Sequence, residues 1–131
     1  LDIKATHVWE RSVRTFFDLR VFHGGSPSYV GKSITSLYNM HEAEKRRAYN
    51  DRIMNVERGT FTPIVFSSVG GAGKEARKFS KKLAKLTSRK SGDKYPEVVK
   101  ELRLDINFSL LHSAMSALRG TRYCRDRDYP E

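Results

Sequence analysis

The spacing of apolar positions changes several times along the chain, and each change marks an element. LDIKA at the start alternates apolar and polar residues and reads as a short strand already under way, with Asp2 and Lys4 on one face. TFFDLRVF, from Thr15 to Phe22, is aromatic and β-branched and reads as a second strand, with Phe17, Leu19 and Val21 on one face and Asp18 and Arg20 on the other. A loop follows from His23 to Lys32, carrying Gly24, Gly25, Pro27 and Gly31. From Ser33, a residue suited to an N-cap, the period becomes helical: Ile34, Leu37, Tyr38, Ala48 and Tyr49 form a stripe that fades around Asn55 to Gly59. TFTPIVFSS, from Thr60 to Ser68, is nearly continuous in apolar residues and predicts a strand covered on both faces, with Pro63 placing it near its start or at a sheet edge. VGGAG turns the chain into a helix from about Lys74 to Ser88, with Phe79, Leu83 and Leu86 on one side. SGDKYP interrupts it. A longer helix over Glu97 to Arg119 then puts Val98, Leu102, Ile106, Leu110, Leu111, Ala114, Met115 and Leu118 on one face, and Gly120 stops it. The order strand, strand, helix, strand, helix, helix predicts one α/β (α+β) domain over residues 1–120, a small mixed sheet flanked by helices. A loose charged tail over 121–131 completes the chain.

One position conflicts with that pattern. At 100° per residue Lys45 falls, with His41, in the middle of the apolar stripe of the first helix, while Arg46 and Arg47 point away from it. A buried ammonium is costly unless an anion receives it. Two adjacent strands that each present a carboxylate, Asp2 and Asp18, supply such anions. Paired aspartates are hard oxygen ligands suited to Mg²⁺ or Mn²⁺, and a neighbouring lysine suits a phosphate or its attacking water. Blander readings stand beside this one. Asp2 can be a solvated residue, Asp18 can simply pair with Arg20 or Lys45, and Lys45 can snorkel past the stripe to water. His41 reads better as a satisfied core histidine than as a base, and Glu57 as a turn glutamate than as an extra ligand.

Composition sharpens the choice of partner. The 131 residues carry 25 Lys and Arg against 15 Asp and Glu, a net charge of +10 that favours a polyanion. Between Lys74 and Lys90 eight bases face one acid, and Lys74, Lys78, Lys81, Lys82 and Lys85 cluster on the helix. Arg46 and Arg47 extend this candidate phosphate-tracking surface. Neutralising five phosphates predicts a log-log salt slope of roughly −4 to −5 and little reading of base sequence. A solvated helix face is the plainer alternative. The single cysteine, Cys124, forms no internal disulfide, no apolar run reaches bilayer length and no signal peptide opens the chain, so an intracellular protein without a membrane is expected. GGAGKE is not a phosphate loop, because Ser68 stands at the first glycine and Glu75 at the metal-binding hydroxyl; it reads as a helix-start turn. HEAEK lacks the second histidine of a zinc protease.

Asp2 in LDI, Asp18-Leu19-Arg20 in FFDLRV and HEAEKRRAY in the following helix resemble the PD(D/E)xK nuclease superfamily. More narrowly, they are similar to the restriction-enzyme-like endonuclease domains that follow the reverse transcriptase in some non-LTR retrotransposons. VERGTFTPIVFSSVGGAG and LLHSAMSALRGTR also resemble the downstream part of such domains, so the likeness covers most of the chain. In that group the functional lysine has moved from the strand to the next helix, which implies Lys45 in that role, Tyr49 as its companion and Arg20 where the strand lysine usually stands. Leu1 replaces the motif's proline, and the helix and strand that precede the first aspartate in the family are not supplied by these residues. The resemblance implies a restriction-endonuclease-like core and a nuclear, Mg²⁺- or Mn²⁺-dependent nickase that primes reverse transcription, with Asp2 and Asp18 as metal ligands. DNA is its expected partner, held mainly through phosphates, and the element's RNA a further one. The competing expectation is a catalytically inactive nuclease-like module that binds nucleic acid or another protein. An RNA-binding domain is less favoured, for want of an exposed aromatic platform.

Overall fold

In the computed structural model, which describes the backbone of residues 1–126 and the side chains of residues 1–118, three strands form one sheet in the order β1-β2-β3. β1 (Ile3–Thr6) runs antiparallel to β2 (Arg14–Phe22), with Ile3 opposite Phe17. β3 (Thr60–Ser67) runs parallel to β2, with Asp18 opposite Pro63 and Leu19 opposite Ile64. A parallel neighbour requires a crossover, and α1 (Ile34–Arg52) supplies it. Ser33 caps α1 through its side chain, which accepts from the Ser36 N–H at 3.2 Å. The domain is the mixed α+β arrangement expected, and Pro63 is tolerated because β3 is an edge strand.

The sheet has two covered faces. On one, Phe16, Phe22, Phe61 and Val65 pack against Leu37, Tyr49 and Ile53. On the other, Phe17, Ile64 and Phe66 pack against Ala76 and Phe79 of α2 (Lys74–Ser91) and against Ile106 and Leu110 of α3 (Tyr95–Asp126). Trp9, in the β1–β2 connection, reaches this second face and donates its indole N–H to Thr62 Oγ1 at 2.9 Å. α1 runs into a single π turn, Ile53–Glu57, and Arg58 leaves it in the left-handed region at φ 50°. Gly59 is then obligatory, because a Cβ there would stand 2.7 Å from the Arg14 carbonyl oxygen.

α3 departs from expectation twice. It runs through Gly120 to Asp126, so the glycine does not stop it; a mid-helix glycine costs only about 1 kcal/mol. Residues 127–131 of the expected tail lie outside the described residues. The long apolar stripe also divides in two. Val98, Leu102, Ile106 and Leu110 face the body of the domain, whereas Leu104, Phe108, Leu111 and Met115 sit about half a turn away and are exposed, Phe108 by 66%. Leu111, Ala114, Met115 and Leu118, expected on the inner stripe, are all exposed. Among the described residues no helix is long and apolar enough to cross a membrane.

Candidate active site and basic surface

Alternation along β2 sends Asp18 and Arg20 to the face that α1 covers. Asp18 is only 4% exposed, and its Oδ2 is paired with the Lys45 ammonium from α1. Lys45 keeps a fifth of its side chain in solvent, so its stem crosses the packed face and its charge ends at the carboxylate. The ammonium also lies 5.7 Å from the centroid of the Tyr49 ring, which is itself fixed against Phe61 at 5.6 Å between centroids. The lysine at the middle of the apolar stripe is therefore received by an anion from the neighbouring strand, over an aromatic face.

Asp2 arrives by register. With Ile3 opposite Phe17, the next pair outward is Asp2 and Asp18, and the Asp2 N–H donates to the Phe17 carbonyl at 3.1 Å. One Asp2 oxygen, Oδ2, accepts the Leu19 backbone N–H at 2.6 Å, which holds the carboxylate beside β2. The α-amino group of Leu1 lies 3.5 Å from Asp18 Oδ1. Asp18, Lys45 and Tyr49 are thus brought together, with Asp2 next to Asp18 by register. Two carboxylates from neighbouring strands fit Mg²⁺ or Mn²⁺, which take hard oxygen ligands and retain several waters; they are too few for an all-protein cage, and among the described residues no group of three or more metal-ligating side chains occurs.

Arg20 does not pair with Asp18. Its guanidinium Nη1 meets Glu44 Oε2 at 2.9 Å, and that contact holds the Glu44 carboxyl below its ordinary range. The same Glu44 oxygen stands 3.8 Å from His41 Nδ1. His41 is buried, shares a hydrogen bond of 3.1 Å with the Tyr29 hydroxyl through Nε2, and among the described residues has no hydrogen-bond partner at Nδ1. Burial first, then the Arg20 charge, lowers its proton affinity, so the ring is neutral at pH 7. His41 is accordingly a core histidine with one nitrogen satisfied. Glu57 lies in the π turn ahead of β3, where its carbonyl accepts from Arg14 Nη2 at 3.3 Å, and it belongs to the other end of the sheet.

Glu42 is the functional-looking residue that sequence reasoning missed. It is 7% exposed, and its Oε1 accepts the Glu75 N–H at 3.1 Å, satisfying a donor in the first turn of α2 that Gly73 at the N-cap leaves open. A Cβ at Gly73 would collide with this carboxylate. The glycine-rich turn therefore receives an anion, but the anion is the protein's own. The one signal in the sequence is a glutamate beside the inward-facing His41, which carries no hint of a partner so far along the chain.

α2 carries the basic surface. Lys74, Lys78, Lys81 and Lys85 are exposed and Lys82 half-buried. Lys78 Nζ meets Glu75 Oε1 at 3.2 Å, and Arg46 Nη2 meets Glu75 Oε2 at 3.4 Å, so Arg46 is committed to an ion pair, while Arg47 is exposed. α2 and α1 cover opposite faces of the sheet. The lysine stripe and the Asp18–Lys45 pair consequently do not share one face, and the Glu42 and Arg46 contacts join their helices at the start of α2. No family model, curated protein or solved structure matches the chain, so the geometry just described is what a functional reading has to rest on.

Proposed function

We propose that this domain is a metal-dependent DNA endonuclease of the PD(D/E)xK type, a nickase of a retroelement protein that acts in the nucleus. The observation that supports the reading most is the buried Asp18, paired with a lysine that the helical pattern aims inward, with Asp2 in register beside it. In this reading Asp18 and Asp2 hold the divalent ion. A bound Mg²⁺ would polarise the phosphodiester and make its coordinated water a nucleophile at neutral pH. Lys45 would hold a non-bridging phosphate oxygen, with the Tyr49 ring beside its ammonium. Arg20 stands on the same strand face, its guanidinium held and its charge balanced by Glu44. The lysines of α2 bind the backbone of the substrate and set its position.

Nicking of supercoiled plasmid with Mg²⁺ or Mn²⁺ tests the reading, comparing the chain with Asp18→Ala and Lys45→Ala across a salt series. Metal-dependent nicking abolished by either substitution is the expected result. A second reading, an inactive nucleic-acid-binding module, is favoured by one observation: Asp18 Oδ2 is already occupied by Lys45, an ion pair that is complete without a metal. Salt-sensitive DNA binding equal in all three proteins, without cleavage, selects that reading.

A further inference from the structure

On the sheet face away from Asp18, a cavity of about 270 Å³ opens between α2, α3 and the turn after β3. Its floor is apolar, made by Phe66, Leu102 and Ile106, and three cations stand round it: Arg77 and Lys81 from α2 and Arg103 from α3. Among the described residues no carboxylate lines it, and none of the three cations makes an ion pair or side-chain hydrogen bond. Unpaired cations converging on an apolar floor repel one another, and an occupant that is flat and apolar with negative charge on its flanks would relieve that repulsion. The volume admits a single ring system and excludes a helix or a duplex. Ser80 and Asn107 line the same cavity and offer polar atoms to a ring edge; Ser80 Oγ donates to the Ala76 carbonyl at 2.9 Å and keeps its acceptor capacity.

The position of the cavity identifies the occupant. Lys74, Lys78, Lys81 and Lys85 lie within about 60° of one another round α2, and Arg77 stands at the edge of that stripe next to α3. Lys81 belongs to both the stripe and the cavity. A strand whose phosphates follow the lysines therefore passes the cavity mouth, with a base free to turn inward. We infer that the cavity between α2 and α3 receives one unstacked nucleobase of a single strand, with Arg77, Lys81 and Arg103 on the flanking phosphates. This rests on the nucleic-acid-binding part of the proposed function and is independent of cleavage.

The test compares two fluorescent single strands of equal length and charge, an oligothymidylate and an abasic deoxyribose-phosphate strand, by anisotropy with the whole chain. The oligothymidylate is expected to bind at least about 5-fold more tightly, the lower end of what one stacked base contributes. Ser80→Leu fills the cavity and is expected to abolish the preference while leaving affinity for the abasic strand unchanged. Asn107→Leu, at an exposed rim position, is expected to do the same and guards against loss of folding in the first variant. Equal affinity for the two strands, or a preference that survives both variants, overturns the cavity assignment and leaves the phosphate-binding surface standing. Failure to bind either strand removes both.

Discussion

Replacing Lys45 with methionine keeps the side-chain stem as far as Cε and deletes its charge, leaving the buried Asp18 carboxylate with only the Leu1 α-amino group, 3.5 Å away. Breaking a buried ion pair costs about 3–5 kcal/mol, most of it the penalty for the orphaned charge. Asp18 is 4% exposed but Lys45 retains 20% of its side-chain surface, so solvent screens one end of the pair and the expected cost falls to about 2–3 kcal/mol. In urea at pH 7, with a slope of about 1.5 kcal/mol per molar, the unfolding midpoint should drop by about 1.3–2 M. Adding Asp18→Asn to Lys45→Met removes the orphan, and the double variant should recover to within about 1 kcal/mol of the parent, a coupling of at least about 1 kcal/mol. A Lys45→Met midpoint within 0.3 M of the parent, or a double variant no more stable than the single, would refute the buried pair and with it the reason offered for an inward lysine.

Glu42→Ala removes the side chain that caps α2 and should cost about 1–2 kcal/mol in the same assay, whereas Glu42→Gln, which keeps an acceptor for the Glu75 N–H, should cost less; equal losses would show that packing alone is at stake. Burial and the Arg20 charge hold His41 below its ordinary value of 6.5, so the unfolded chain takes up a proton that the folded chain refuses. Stability should therefore decline as pH falls through 6.5 toward the lowered folded value, by at most about 1.4 kcal/mol per pH unit, and His41→Gln should flatten that part of the profile. Glu44 adds an acid limb of the same sign: its carboxyl is held below 4.5 by Arg20, so its contribution is present above 4.5 and lost as pH falls through the lowered value, and Arg20→Gln should weaken that limb. Phe17→Ala should cost about 3–5 kcal/mol and Phe108→Gln less than about 0.5, because the first ring is 1% exposed and the second 66%; thermal or urea unfolding of the two side by side checks the division of apolar surface.

Where the sequence pattern was read by local rules, it located the elements well. Period-2 alternation put Asp18 and Arg20 on one face of β2, the continuous apolar run of β3 matched a strand buried on both faces, and the inward placement of Lys45 led to an anion that the structure supplies. What failed depended on distance along the chain or on the exact phase of a helix. Of the two partners open to Asp18, Arg20 and Lys45, the strand face alone does not choose; Lys45 takes it, and Arg20 pairs with Glu44 on the helix above. Glu42 meets Glu75 only through the crossover that stacks α1 beside β3, a relation no local period encodes. In α3, Leu110 and Leu111 are adjacent and 100° apart, so a run of apolar residues three and four apart drew two opposed stripes into one. Gly120 was read as a stop by its residue type, although a helix already long enough carries a glycine at modest cost.

The crossover also fixes an order of assembly. β1 and β2 are close neighbours in the chain and pair early, but β2 waits for β3, whose Thr60 must travel back to Thr15 once α1 has formed. α1 in turn is seated by β3, since Leu37 shares a cluster with Val65 and Tyr49 packs on Phe61. A nascent chain that ends before Thr60 thus holds Asp18 and Lys45 in its sequence but lacks Phe61 and Val65, on which much of α1 packs. It also leaves the β2 edge unpaired and the faces carrying Phe16, Phe17 and Phe22 uncovered by β3, the kind of species that aggregates or engages a chaperone. The surroundings of the ion pair are therefore complete only with the finished sheet, when Phe61 seats the Tyr49 ring beside the Lys45 ammonium.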